Sequence, residues 1–326
     1  MIITLTPNPS IDATLELEEP LGIGAVNRAS TVSQFAGGKG VNVSHALRLA
    51  GDETVAVFPA NKHDAFITIT AASDIPFEAV PMDAHVRMNT TITDDSGVTT
   101  KVNGPGPMVS EEVQSQLIES VIALAARAEW VVMAGSLPQG MPADWYSQVI
   151  AELRARVPHV KIAVDTSDKP MKALGDNLRT AAPDLIKPNS LELGQLTGTD
   201  GSALETAAEA GDFSGVVAAA RQVNERGVPM VLVTLGSAGA ALVTKDGAWI
   251  ASPPPVEVRS TVGAGDSSLA GFIMGVSRGL DLPGSLANAV AYGTAAAGLP
   301  GTTMPNPEDV DIAHTSVAAI EGIPLP

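Results

Sequence analysis

Seven short apolar runs recur along the chain: Ile2–Thr6, Val55–Pro59, Trp130–Ala134, Ile162–Asp165, Leu185–Lys187, Met230–Leu235 and Ala240–Thr244. They are rich in β-branched residues and alanine, and their unbroken hydrophobicity suits strands buried on both faces. Helical spacing fills the intervals. Val43, Ala46, Leu47 and Ala50 fall at i, i+3, i+4 and i+7, and Leu269, Phe272, Ile273, Val276 and Leu280 form a second stripe. Ser110 with Glu111 and Glu112 opens a helix expected to run to about Ala128. Strands alternating with helices predict an α/β fold, with a mainly parallel sheet covered on both faces. In such sheets ligands bind beyond the carboxyl ends of the strands.

Two segments break the alternation. Residues 11–36 and 86–103 alternate polar with apolar residues, as in Ala13–Glu18, Arg87–Asp94 and Val98–Val102. They predict antiparallel strands with one solvated face, forming a small second sheet. The stretch from Gly198 to Gly211 reads as a surface insertion.

Composition narrows the function. The 326 residues carry 19 Lys+Arg against 36 Asp+Glu, a net charge of −17. That balance argues against nucleic acid and against an anionic membrane surface as partners, while leaving one small anionic ligand possible. No cysteine is present, which removes disulfides, thiolate nucleophiles and Cys-ligated metals. The N-terminus lacks the pattern of a signal peptide, and no apolar run approaches the ~20 residues of a membrane span, so a cytoplasmic protein is expected. The five histidines are scattered, and no Walker, dinucleotide, zinc-hydrolase or nucleophile-elbow motif occurs.

Three clusters carry chemistry. Gly37, Gly38, Lys39, Gly40 and Asn42 precede a helix; bare backbone, a lysine and a helix start suit an anion, and a tight turn with a solvated lysine suits the same residues. Ser260 to Ser267 opens the helix carrying Leu269. The amides of Ala264, Gly265 and Asp266 can form an anion nest, beside which Asp266 is placed either to cap the helix or to act as a general base. Lys187, Asn189 and Glu192 follow a strand; Asn189 and Glu192 share one helical face, fit to organise Mg²⁺ through water or to form a capping box. Asp12 follows the first strand, where it can grip hydroxyls or serve a turn. Arg87 and Asn89 start a second-sheet strand.

Together these pieces resemble the ribokinase-like (PfkB-type) carbohydrate kinases. Gly37 to Gly51 is similar to that family's first signature, Ser260 to Phe272 to its second, and Asn189–Glu192 to its N-x-x-E magnesium motif. Thr6–Asp12, the lysine in Gly38–Lys39–Gly40, Arg87–Thr91, Asn103–Pro107 and Ser260–Val262 resemble its hexose-phosphate branch. The resemblance implies one three-layer α/β/α kinase domain with a small β-sheet lid inserted as 11–36 and 86–103. It implies ATP-dependent phosphorylation of fructose 1-phosphate at the 6-hydroxyl, with tagatose 6-phosphate or fructose 6-phosphate as alternative acceptors. A non-catalytic sugar-phosphate sensor on the same scaffold is the alternative of another class.

The same resemblance distributes roles. Asp266 would be the base, and the amides of Gly263, Ala264 and Gly265 the anion hole. Asp12, Gly37, Gly38 and Asn42 would bind the sugar, Lys39 and Arg87 its phosphate, and Asn89, Asn103 and Ser136 would add contacts. Lys187 and Asn189 would meet the nucleotide phosphates, Thr234, Gly236 and Gly239 would line the ATP site, and Asn288 would lie near adenine. Glu192 would position Mg²⁺ through water. A homodimer through the lid sheet is implied. Val258–Arg259–Ser260–Thr261 lacks the Asp that many relatives carry before this Thr, so no monovalent-cation site is carried over.

Overall fold

The computed structural model describes residues 1–320. Its strands in chain order are β1 (Ile2–Leu5), β2 (Ser10–Leu17), β3 (Ala29–Gly37), β4 (Thr54–Ala60), β5 (Phe77–Pro81), β6 (Arg87–Thr93), β7 (Thr99–Asn103), β8 (Trp130–Ala134), β9 (Lys161–Asp165), β10 (Leu185–Ile186), β11 (Met230–Thr234), β12 (Ala240–Thr244), β13 (Ala248–Ser252) and β14 (Ser316–Ala319). The helices are α1 (Lys39–Leu49), α2 (Ala65–Ala72), α3 (Glu111–Ala125), α4 (Trp145–Arg156), α5 (Asp168–Asn177), α6 (Ser190–Thr197), α7 (Gly201–Glu209), α8 (Ser214–Asn224), α9 (Ala264–Ser277) and α10 (Leu282–Ala297).

Ten strands form one sheet in the order β14-β13-β12-β11-β10-β9-β8-β1-β4-β5. From β11 to β5 every pair is parallel; β12, β13 and β14 add an antiparallel edge. Successive residues within a strand feed opposite layers. Val131 and Met133 pack with Leu117 of α3 and Val149 of α4, whereas Trp130, Val132 and Ala134 pack with Leu47 of α1 and Phe272 of α9. That division makes three layers, and it explains why these strands read as continuous apolar runs.

The second sheet has the order β3-β2-β6-β7. Its strands were expected to be antiparallel, but β2 and β6 pair in parallel, with Asp12 opposite Asn89. The reason is topological: β2 follows β1 and β6 follows β5, two parallel strands, so both leave the large sheet in the same sense. The insertion expected at 198–211 is instead mostly helix α7, capped by Asp200 and burying Leu204 and Ala208. The helix opened by Ser110 stops at Ala125, and Leu280 lies exposed beyond the end of α9. Strands β5, β13 and β14 were not anticipated. Among the described residues, no helix is long and apolar enough to cross a membrane.

Candidate active site

The carboxyl ends of the parallel strands converge on a cleft of about 350 Å³, walled on one side by the small sheet. Asp165 ends β9, Lys187 follows β10, and Thr234 ends β11. Two glycines make the helix starts that close it. Gly38 sits at φ +112°, where a side chain would meet the Thr6 methyl, and it caps α1 without a side-chain hydrogen bond. Gly263 sits at φ +81° as the cap of α9, and a Cβ there would run into Met304. Both positions exclude ordinary L-residues and leave the first amides of each helix uncapped by side chains.

Most of the expected site residues line this one cleft: Asp12, Gly38, Lys39, Asn42, Arg87, Asn89, Lys187, Asn189, Glu192, Thr234, Gly263, Gly265 and Asp266. Gly37 backs the Asp12 carboxylate, and Ala264 stands in the first turn of α9. Asn103 pairs in register with Asn89 but is exposed outside the lining. Ser136, also outside it, accepts a hydrogen bond from Asn8 at 3.1 Å. Gly236 and Gly239 frame a single 3-10 turn after β11. Asn288 lies elsewhere, in α10, 4% exposed, donating to the Gly271 carbonyl at 2.6 Å.

The electrostatic centre is a residue that sequence reasoning did not single out. Asp165 is fully buried, with its Oδ1 2.7 Å from Lys39 Nζ and its Oδ2 3.0 Å from Lys187 Nζ. Burial pushes this carboxyl up, but the two ammonium groups outweigh burial and hold it below the ordinary carboxylate range. The Lys39 ammonium is disfavoured by burial, yet Asp165 and Asp266 together raise it above its usual value. The one available signal was position: an aspartate at the carboxyl end of an apolar strand.

Asp266, in the first turn of α9, faces the same cleft in a different environment. Burial pushes its pKa up to about 6, the Asp165 charge adds to the rise, and Lys39 partly offsets both. Asn42 donates to its Oδ2 at 2.8 Å, which fixes the direction of the carboxylate. Asn42, expected at sugar hydroxyls, lines the cleft with its amide nitrogen on Asp266.

Glu192 and Asn189 form a reciprocal capping box on α6, at 2.9 Å and 2.8 Å, and burial raises the Glu192 pKa. On the small sheet, Asp12 Oδ1 accepts from Ser10 at 2.8 Å and from Asn89 at 2.9 Å. Arg87 Nε and Asn89 Oδ1 are buried without hydrogen-bond partners among the described residues, a donor and an acceptor on two residues of the cleft wall.

Three comparisons agree. The chain is 35% identical over 319 residues to 1-phosphofructokinase of Haloferax volcanii, covering 97% of each protein. It is 34% identical over 314 residues to 1-phosphofructokinase of Rhodobacter capsulatus, covering 94% of this chain and 93% of that one. Phosphofructokinase-2 of Escherichia coli, solved with substrates and products, superposes with a TM-score of 0.83 at 28% identity, covering 94% and 96% of the two chains. Arabidopsis thaliana ribokinase, at 20% identity and a TM-score of 0.70, shares the fold. The family model for pfkB carbohydrate kinases matches residues 6–309, so the chain belongs to the pfkB family of carbohydrate kinases.

Proposed function

We propose that the chain transfers the γ-phosphoryl group of ATP to the 6-hydroxyl of fructose 1-phosphate. The observation that carries the reading is Asp266: a carboxylate buried at a glycine-capped helix start, sharing its cleft with Lys39, Arg87 and Lys187. The names of the relatives support the substrate. The 6-hydroxyl oxygen attacks the γ-phosphorus as its proton passes to Asp266, and the bond from that phosphorus to the β,γ-bridging oxygen breaks to release ADP. A pKa of about 6 leaves Asp266 mostly ionised at neutral pH, close enough to the working pH to accept a proton effectively. Phosphoryl transfer needs positioning and charge stabilisation more than covalent help. The amides of Gly263, Ala264 and Gly265 supply fixed dipoles to the transferred group. Lys187 and Asn189 take the nucleotide phosphates. Lys39 and Arg87 take the sugar phosphate, which gives the unpartnered Arg87 Nε an acceptor. Asp12 and Asn89 hold sugar hydroxyls.

Glu192 offers hard oxygen donors, and among the described residues no group of three or more His, Asp or Glu is placed to hold a metal alone. This donor set fits Mg²⁺ that keeps water and phosphate oxygens as most of its ligands, with Glu192 reaching it through water. Bound there, Mg²⁺ would supply positive charge to the phosphates.

Turnover with fructose 1-phosphate, tagatose 6-phosphate, fructose 6-phosphate, fructose and ribose tests the reading. The expected result is the highest kcat/KM on fructose 1-phosphate; preference for an unphosphorylated sugar would overturn it, and tight binding without turnover would make the chain a sensor.

A homodimer through the small sheet belongs to the same proposal. The strand registers put Val32, Met88 and Val102 on the face opposite Asp12, Asn89 and Asn103, and these three are 61%, 45% and 59% exposed. Exposed apolar side chains gathered on one face suit a second copy of the chain. Val32→Lys with Met88→Lys is expected to convert a dimer into a monomer in sedimentation velocity. An unchanged mass would place the contact elsewhere.

A further inference from the structure

Arg87 opens β6, and the chain leading into it is pinned by a carboxylate outside the cleft. Asp64, 4% exposed, divides its oxygens between two elements. Oδ1 accepts the Phe66 N–H at 2.9 Å and caps α2. Oδ2 accepts the Val86 N–H at 2.9 Å and lies 3.1 Å from His85 Nδ1. Nearby, Asn61 Nδ2 donates to the Asp83 carbonyl at 2.9 Å, and Val86 packs against the cluster of Phe58, Phe66 and Ile75. The segment 83–86 is therefore held at several points, the last of them one residue before Arg87. Downstream, Asn89 is tied to Asp12. Between those ties, Arg87 carries a buried Nε that no group among the described residues satisfies.

We propose that Asp64 is a positioning residue for the sugar phosphate: its bond to the Val86 amide fixes the entry of β6 and so aims Arg87 into the cleft. The proposal rests on the reading of Arg87 as a phosphate contact. A buried hydrogen bond to a charged carboxylate is strong enough to set a backbone position, and small displacements of a binding group are costly in a preorganised site. Lys187 and the glycine turn of α9 belong to other elements, so the nucleotide side does not depend on this clasp.

Asp64→Asn separates the two jobs. With its oxygen kept on the Phe66 amide, it turns an NH₂ toward the Val86 N–H, donor against donor, so the cap survives and the clasp does not. Asp64→Ala removes both. For Asp64→Asn, KM for fructose 1-phosphate is expected to rise about five- to tenfold, the scale of one lost buried hydrogen bond, with KM for ATP and turnover of unphosphorylated fructose unchanged. Asp64→Ala is expected to give the same KM rise with a lower Tm. In an Arg87→Ala background, Asp64→Asn is expected to add nothing. The inference is overturned if either variant keeps the wild-type KM for fructose 1-phosphate, if both KM values rise together, or if the Asp64→Asn effect persists without Arg87. Arg87→Ala alone separates the failures: if it leaves KM for fructose 1-phosphate unchanged, the phosphate assignment falls and the inference with it.

Discussion

Asp266→Asn is expected to lower kcat by about 10²–10⁴-fold, the range a positioned general base contributes, with little change in KM for ATP. The amide keeps the shape of the side chain and its pairing with Asn42, so the loss isolates proton acceptance. The pH profile carries the same assignment. In the wild type, Asp266 is protonated below about pH 6, so kcat/KM should fall on the acid side with an apparent pKa near that value. The acid limb should be missing from the residual activity of the variant.

Stability moves the other way. A carboxyl whose pKa rises from 3.8 to about 6 on folding is a cost to the native state at neutral pH, and that cost disappears as pH falls toward 4. Asp266→Asn removes the cost. The variant should therefore resist urea better than the wild type at pH 7.5 and equally well near pH 4. A catalytic loss accompanied by lower stability at neutral pH would give Asp266 a structural role; near-normal turnover would remove it as the base.

Physical chemistry explains which parts of this site were legible in the chain. Gly263, Gly265 and Asp266 stood out because helix capping alone does not require two glycines around an acid, and the fold places all three on one cleft. The parallel sheet was legible because strands buried on both faces must be apolar throughout. Strands β5 and β14 escaped that test because they are edges: Glu78 and Pro81 interrupt one, and Ser316 begins the other. The parallel pairing of β2 with β6 depends on the order in which β1, β4 and β5 assemble, which no local pattern encodes. Asn189 and Glu192 admitted two readings from their spacing, and the capping box forms in the cleft wall itself, so one arrangement can serve both. Asp165 was illegible for a different reason. Its meaning comes from Lys39, 126 residues away in sequence, and from Lys187 just after another strand, and only the fold brings these together.

Asp165→Asn is the second large effect expected. Lys187 is 4% exposed, and without Asp165 it becomes a buried cation lacking its partner. Breaking a buried pair on one side costs about 3–5 kcal/mol. Lys39, with 35% of its side chain exposed, contributes less because solvent screens it. The Asp165 pKa is depressed on folding, so its stabilisation is present above the ordinary carboxylate value of 3.8 and is lost as pH falls through the lower folded value. The urea midpoint of the variant should thus lie well below the wild type at pH 7, with the gap closing only in strong acid. Kinetically, both lysines lose the group that aims them, so KM should rise for fructose 1-phosphate and for ATP together, unlike the one-sided rise expected from Asp64→Asn. The acid limb should also shift. Asp165 raises the Asp266 pKa by its charge, and its removal leaves burial as the raising influence against Lys39 and Lys187, so the limb moves to lower pH. A variant with both KM values intact and the limb unmoved would show that Asp165 orders neither lysine. A fall in stability with no shift of the limb would confine Asp165 to holding the fold.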